Sequence, residues 1–240
     1  MTRIIVAAIA AFASCRGATA ASPDLANTSR AKSADIGPCT ASPLPTSIAY
    51  MSRVMATDRQ LGLPLIYPIT RGMRLTPEAD ILVKVGYDVR GRSVRMAPRA
   101  AAALKRMIAA AARDDVQLQM VSGFRTVAYQ HRLVRGKLKR GMSIDAALRI
   151  NAAPGFSEHH SGCAVDLTAP GAAPADRRFA ETRAYEWLQE HAGDFGFHLS
   201  YPPDNPRGIE FEPWHWRYVA EEDPTPRSAE ANDTGDGSTD

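Results

Sequence analysis

Gly155-Phe156-Ser157-Glu158-His159-His160-Ser161-Gly162-Cys163-Ala164-Val165-Asp166 is the stretch around which the rest of the chain can be read. His159 stands in a turn. Asp166 follows seven residues later, toward the far end of a short apolar strand expected at Cys163–Leu167. A loop histidine and a strand aspartate can converge on one cation, and a third ligand from a distant segment closes three corners of a tetrahedron. Glu210-Phe211-Glu212-Pro213-Trp214-His215-Trp216-Arg217-Tyr218 offers that third ligand in His215. Two histidines, one carboxylate and an open position form the catalytic rather than the structural pattern for zinc. Glu212, three residues before His215, is placed to take a proton from an attacking water. Pro213 lies between them and argues against a helical HExxH arrangement, so the geometry must come from a turn or strand.

Most histidines are ordinary surface or core residues, and His131, His191 and His198 are read that way. His160 is adjacent to His159, and adjacent side chains diverge, so only one of the pair should face a metal. Trp214 and Trp216 flank His215, and at least one of them is expected in the core.

The surrounding pattern indicates helices mixed with short strands. Pro98–Arg113 starts with proline in its first turn, and Leu104, Met107, Ile108 and Ala111 fall on one face. Residues 116–121 alternate and predict a strand; Arg125–Arg135 and Phe179–His191 predict helices. Further strands are expected at Ile81–Tyr87, Phe197–Ser200 and Trp216–Val219. Without regular βαβ units, the fold class is α+β.

The chain has 240 residues, 45% of them hydrophobic and 23% charged, which suffices for a buried core and excludes wholesale disorder, collagen and coiled coil. Three cysteines are too few for a disulfide-built scaffold. The net charge of +3 hides an asymmetry: residues 221–240 carry −6, and residues 21–220 carry +7. A basic body suits an anionic partner such as a polyanionic envelope. No basic run is interleaved with aromatics, so nucleic acid is not indicated.

Residues 1–20 have Arg3, an apolar run from Ile4 to Ala13 and a small-x-small site at Ala18-Thr19-Ala20, and so predict a cleaved signal peptide. The run is too short to cross roughly 30 Å of hydrocarbon as a helix, so no transmembrane helix is expected. The competing reading is a lipid anchor at Cys15. There Phe12-Ala13-Ser14-Cys15 resembles a lipobox, with Phe12 where leucine is usual. Residues 21–46 are expected to be a disordered linker, 47–222 a single domain, and 223–240 a disordered acidic tail.

Ser157-x-His159-x-x-Gly162-x-Ala164-x-Asp166, followed by Glu212-x-Trp214-His215, resembles the VanY-type D-alanyl-D-alanine carboxypeptidases. These belong to the LAS group of zinc peptidases, named for lysostaphin, D-Ala-D-Ala peptidases and hedgehog. Ser122-Gly123-Phe124-Arg125-Thr126 with Gln130 is similar to the same family's S-G-Y-R-S…Q segment, with Phe124 in place of tyrosine. The resemblance implies a small domain with a central antiparallel sheet carrying a Zn2+ site, flanked by helices. It implies that His159, Asp166 and His215 bind the metal and that Glu212 is general base and then acid. It implies that Arg125 holds the scissile carbonyl, and that Ser157 and Gln130 position the substrate. The implied activity is hydrolysis of the bond to the C-terminal D-alanine of peptidoglycan stem peptides, outside the cytoplasm. An L,D-carboxypeptidase, an endopeptidase of the same group, or a non-catalytic wall-binding zinc module are the alternatives. Glu212 and Arg125 argue against the last, because binding alone needs neither.

Cys163 stands at a variable position of the motif. It is an off-pattern ligand, a small buried residue, or half of a disulfide. Cys39 and Cys163 are the only cysteines outside the signal region, and an oxidising compartment favours their pairing. The alternative is two unpaired thiols.

Overall fold

A computed structural model of the chain describes Cys39, residues 46–64 and residues 66–220. The expected signal peptide with Cys15, the linker apart from Cys39 and Thr46, and the acidic tail lie outside the described residues.

The elements run α1 (Ile48–Gln60), α2 (Tyr67–Thr70), β1 (Val83–Tyr87), β2 (Ser93–Met96), α3 (Pro98–Arg113), β3 (Gln119–Ser122), α4 (Val127–Lys139), α5 (Ile144–Arg149), β4 (Ala164–Thr168), α6 (Arg183–His191), β5 (Phe197–Leu199) and β6 (His215–Tyr218). Short 3-10 turns at Glu158–Ser161, Arg177–Glu181 and Ala192–Phe195 fill the connections. β1 and β2 form a two-stranded antiparallel hairpin. The other four strands make an antiparallel sheet in the order β3-β4-β6-β5. The α+β class and the central antiparallel sheet are as expected.

The central strand β4 is buried along its whole length. Its alternation explains how. Val165 and Leu167 point into the main core with Leu104 and Met107 of α3, Leu188 of α6 and Trp216 of β6. Ala164, Asp166 and Thr168 therefore take the opposite face. A second core, built from Val54, Leu61 and Leu63 with Val127 and Val134 of α4 and Leu148 of α5, closes over Phe156. The metal-motif loop is thus clamped between two apolar cores.

α3 has the bounds the sequence predicts. The expected strand at 116–121 starts three residues late. Val116 N–H bonds back to the Ala111 carbonyl at 2.8 Å, so the chain is still leaving α3 there, and pairing begins at Gln119 opposite Thr168. The expected helix at 125–135 begins instead at Val127, because the Thr126 side chain caps it by accepting the Tyr129 N–H. The expected helix Phe179–His191 breaks at Thr182, whose hydroxyl caps α6 through the Tyr185 N–H and leaves a 3-10 turn upstream. β6 reaches back to His215, one residue before its expected start.

Candidate metal centre and active site

The sheet register assembles the site. Asp166 pairs with His215 across β4 and β6, and with Ser122 across β3 and β4. An irregularity in β3 between Met120 and Ser122 turns both Val121 and Ser122 toward the same cavity. Arg125 Nε donates to Ser122 Oγ at 2.8 Å, and its Nη2 pairs with Asp166 Oδ2. One lateral row therefore carries Arg125, Ser122, Asp166 and His215.

His159 enters this row from the 3-10 turn Glu158–Ser161. The turn ends at Gly162, with φ of +71°, where a Cβ would lie 2.8 Å from the Ala97 nitrogen; only glycine satisfies both the angle and the space. His159 Nδ1 donates to the Gly123 carbonyl at 2.7 Å, which turns Nε2 toward Asp166 Oδ1 at 3.2 Å. Gly123 is also confined: a Cβ there would meet the Arg95 carbonyl oxygen at 2.8 Å. His215 Nδ1 lies 3.1 Å from the same Asp166 oxygen. Donor atoms of His159, Asp166 and His215 all lie within 4.8 Å of one another, and all three residues are buried. Two imidazole nitrogens and a carboxylate oxygen, converging and shielded, are a donor set that fits a zinc ion.

Electrostatics agree with a cation site. Burial opposes charge on His215, but hydrogen bonds and charge from Asp166 and Glu158 raise it to about 9. Burial would raise Asp166, yet His159 and Arg125 hold its carboxyl well below the ordinary range. His159 moves the other way: burial, with the Arg125 charge, lowers it to about 4, which leaves its ring neutral and able to ligate. Glu212 stands within 4.0 Å of His215, on the turn that Pro213 enforces rather than on a helix. Burial pushes its carboxyl up to about 7, beyond what His215 and Arg125 pull back.

These residues open onto one cavity of about 450 Å³, also lined by Gln130, Ser157, Lys137, Tyr201 and Trp214. Gln130 is almost wholly buried; its Nε2 donates to the Ala152 carbonyl at 2.8 Å and its Oε1 has no hydrogen-bond partner among the described residues. Gln130, Leu133 and Lys137 line the cavity from one face of α4, as their spacing requires.

A family model described as VanY, D-alanyl-D-alanine carboxypeptidase, matches residues 93–221, more than half of the sequence. The chain belongs to the VanY family. It is 36% identical over 126 residues to a D-alanyl-D-alanine carboxypeptidase of Enterococcus faecalis, covering 48% of this chain and 45% of that protein. It is 31% identical over 131 residues to the bifunctional D-Ala-D-Ala dipeptidase and D-Ala-D-Ala carboxypeptidase VanXYC of Enterococcus gallinarum, covering 52% and 68%. Among solved structures, that of the LdcB LD-carboxypeptidase, a study of peptidoglycan recognition, aligns with a TM-score of 0.56 at 28% identity, covering 62% of this chain and 72% of that one. The chain spans just under half the length of the E. faecalis relative. Every site residue named above lies inside the VanY match; α1, α2 and Cys39 lie before it.

All seven residues singled out from the sequence meet at this VanY-family cavity: His159, Asp166, His215, Glu212, Arg125, Ser157 and Gln130. His160 does not. It is buried with Nδ1 donating to the Arg125 carbonyl at 2.6 Å and Nε2 accepting the Gly155 N–H at 3.0 Å, and burial lowers it to about 4. It is a neutral brace between the motifs. Trp216 is core, whereas Trp214 faces the cavity. Cys163 is no ligand: it is bonded to Cys39, with Cα atoms 5.5 Å apart. Sequence reasoning assigned no role to Glu158, Ser200, Tyr201 or Arg207. Glu158 Oε2 accepts from His215 Nε2 at 3.0 Å and from Ser200 Oγ at 2.6 Å. Arg207 Nη1 donates to Glu158 Oε1 at 2.7 Å. The Tyr201 ring packs on His215 with centroids 4.8 Å apart. Burial alone would raise Glu158, but His215 and Arg217 bring it below the usual carboxylate range.

Proposed function

We propose that the chain is a zinc-dependent carboxypeptidase that removes the C-terminal D-alanine of peptidoglycan stem peptides at the cell envelope. The observation that carries the reading is the convergence of His159, Asp166 and His215 with Glu212 and Arg125 on one cavity. Zinc held by those three ligands would supply Lewis acidity toward the scissile carbonyl and lower the pKa of an attacking water. Glu212, raised toward neutrality, accepts the proton of that water and returns it to the leaving amine. Arg125, braced by Ser122, presents fixed N–H donors to the carbonyl oxygen as charge develops on it. Ser157 and Gln130 border the same space and orient the peptide. Lys137 is half-buried in the cavity wall and suits the free carboxylate of the substrate's last residue. The +7 charge of residues 21–220 fits a polyanionic wall, and the basic N-terminal start fits export.

The likeness to the LdcB LD-carboxypeptidase favours a second reading, in which the bond cut joins a diamino acid to D-alanine. Incubating the zinc-loaded protein with a stem pentapeptide and a stem tetrapeptide, followed by mass spectrometry, separates the two. Chelator-sensitive loss of one alanine from the pentapeptide supports the first reading; loss from the tetrapeptide alone supports the second. No release from either sinks both.

A further inference from the structure

Glu158 stands at a motif position that the zinc-peptidase resemblance leaves unspecified, directly before a proposed ligand. The 3-10 turn swings its side chain away from the cavity, which it does not line, and behind His215 instead. There the carboxylate meets the ring edge opposite the one that faces Asp166: Nε2 to Oε2 is 3.0 Å, and Nδ1 to Asp166 Oδ1 is 3.1 Å. An imidazole that donates Nε2–H can offer only Nδ1 to a metal. The loop after β5 secures the carboxylate through Ser200 Oγ at 2.6 Å and Arg207 Nη1 at 2.7 Å. The Arg207 guanidinium also lies over Tyr201, whose ring covers His215.

We propose that Glu158 is a positioning residue for His215: its carboxylate fixes the ring's tautomer and orientation, so that Nδ1 is presented beside Asp166, and the Ser200–Arg207 loop holds Glu158 in that pose. The proposal rests on His215 being a metal ligand. Glu158 does not line the cavity; its effect passes through the His215 ring. The bare alternative is a buried ion pair with Arg207 that only holds the loop down. The two differ in what they move. A positioning role changes metal affinity at constant stability of the metal-free protein. A structural role changes the stability and leaves affinity alone.

The test uses the whole domain freed of metal, with wild type, Glu158→Gln and Glu158→Ala in parallel. Zinc affinity is read by competition with a chromophoric chelator, and the metal-free melting temperature is read separately. Removing an outer carboxylate behind a ligating histidine typically weakens metal binding about 10–100-fold. Glu158→Ala is expected at the upper end of that range. Glu158→Gln is expected near the lower end, because the amide oxygen still accepts Nε2–H but carries no charge. Should Glu158→Ala fail to fold, Glu158→Gln, which keeps the shape, decides. Wild-type affinity in a folded Glu158→Gln together with a lowered metal-free melting temperature overturns the proposal. Absence of zinc binding in wild type would instead overturn the metal-site reading on which it rests.

Discussion

Breaking the Cys39–Cys163 bridge is expected to destabilise the domain strongly. The bond spans 124 residues, so it closes a loop that contains every element from α1 to the start of β4. In the chain-entropy model such a loop removes about 4.9 kcal/mol of conformational freedom from the unfolded chain at 25 °C. Little native strain offsets this, since the Cα separation of 5.5 Å lies within the relaxed range for disulfides. Both cysteines are buried, and the Cys39 carbonyl accepts the Ala220 N–H at 2.7 Å, so the bridge also anchors the chain leaving β6. For a domain of this size each kcal/mol shifts the melting temperature by about 2–4 °C. Cys39→Ala should therefore melt about 10–20 °C below the oxidised wild type. Reversible thermal scans by circular dichroism measure it, with wild type in a thiol reductant as a second arm. Alkylation under denaturing, non-reducing conditions should leave Cys39 and Cys163 unlabelled. A variant melting within about 2 °C of oxidised wild type would refute the loop-entropy argument.

Glu212→Gln should retain zinc and fold while turnover falls about 10²–10⁴-fold, measured by D-alanine release and metal analysis; near-normal turnover removes Glu212 from the base role. Lys137→Met should raise KM for a peptide with a free terminal carboxylate about 10–100-fold, the worth of one charge-assisted hydrogen bond. Its KM for the C-terminally amidated peptide should not change, and an equal effect on both would remove Lys137 from carboxylate binding. Asp58 on α1 has a buried Oδ1 with no hydrogen-bond partner among the described residues, and burial raises its carboxyl to about 7. A raised acid favours the folded state while protonated, and that contribution fades as pH rises from about 4, its unfolded value, through 7. Asp58→Asn should therefore raise the melting temperature at about pH 8 and leave it nearly unchanged at about pH 4, as paired thermal scans would show.

The metal and base residues were partly legible from residue type and context: two histidines and an aspartate in turn and strand settings, with Glu212 held off-helix by Pro213. Arg125, Ser157 and Gln130 were legible only through the resemblance to the VanY-type family. α3 was legible because its proline start and apolar face act within the element itself. α1 went unread because it buries only Val54 along its length, too little to show a face. The split of the expected Phe179–His191 helix turned on one threonine hydroxyl, a local competition that apolar spacing does not register. Glu158 was hidden for a different reason. Its partner His215 is 57 residues away, and nothing in a lone glutamate before a histidine reveals which way a 3-10 turn will point it.

The register of β4 with both neighbours has a consequence for how such chains can vary in length. Ser122, Asp166 and His215 meet because they are opposite one another in the sheet, not because of the residues that join them. The intervening chain leaves the sheet and returns to it, so its length is free as long as each strand comes back in the same pairing. Adding residues to a surface loop costs only logarithmically in closure entropy. Proteins of quite different size can therefore share this centre, and a search for others is better built on three short anchored segments with open gaps than on one continuous span. Slipping β4 by a single residue would be far more damaging than inserting ten between the strands, because it would turn Asp166 from the face it shares with His159 and His215 toward the core.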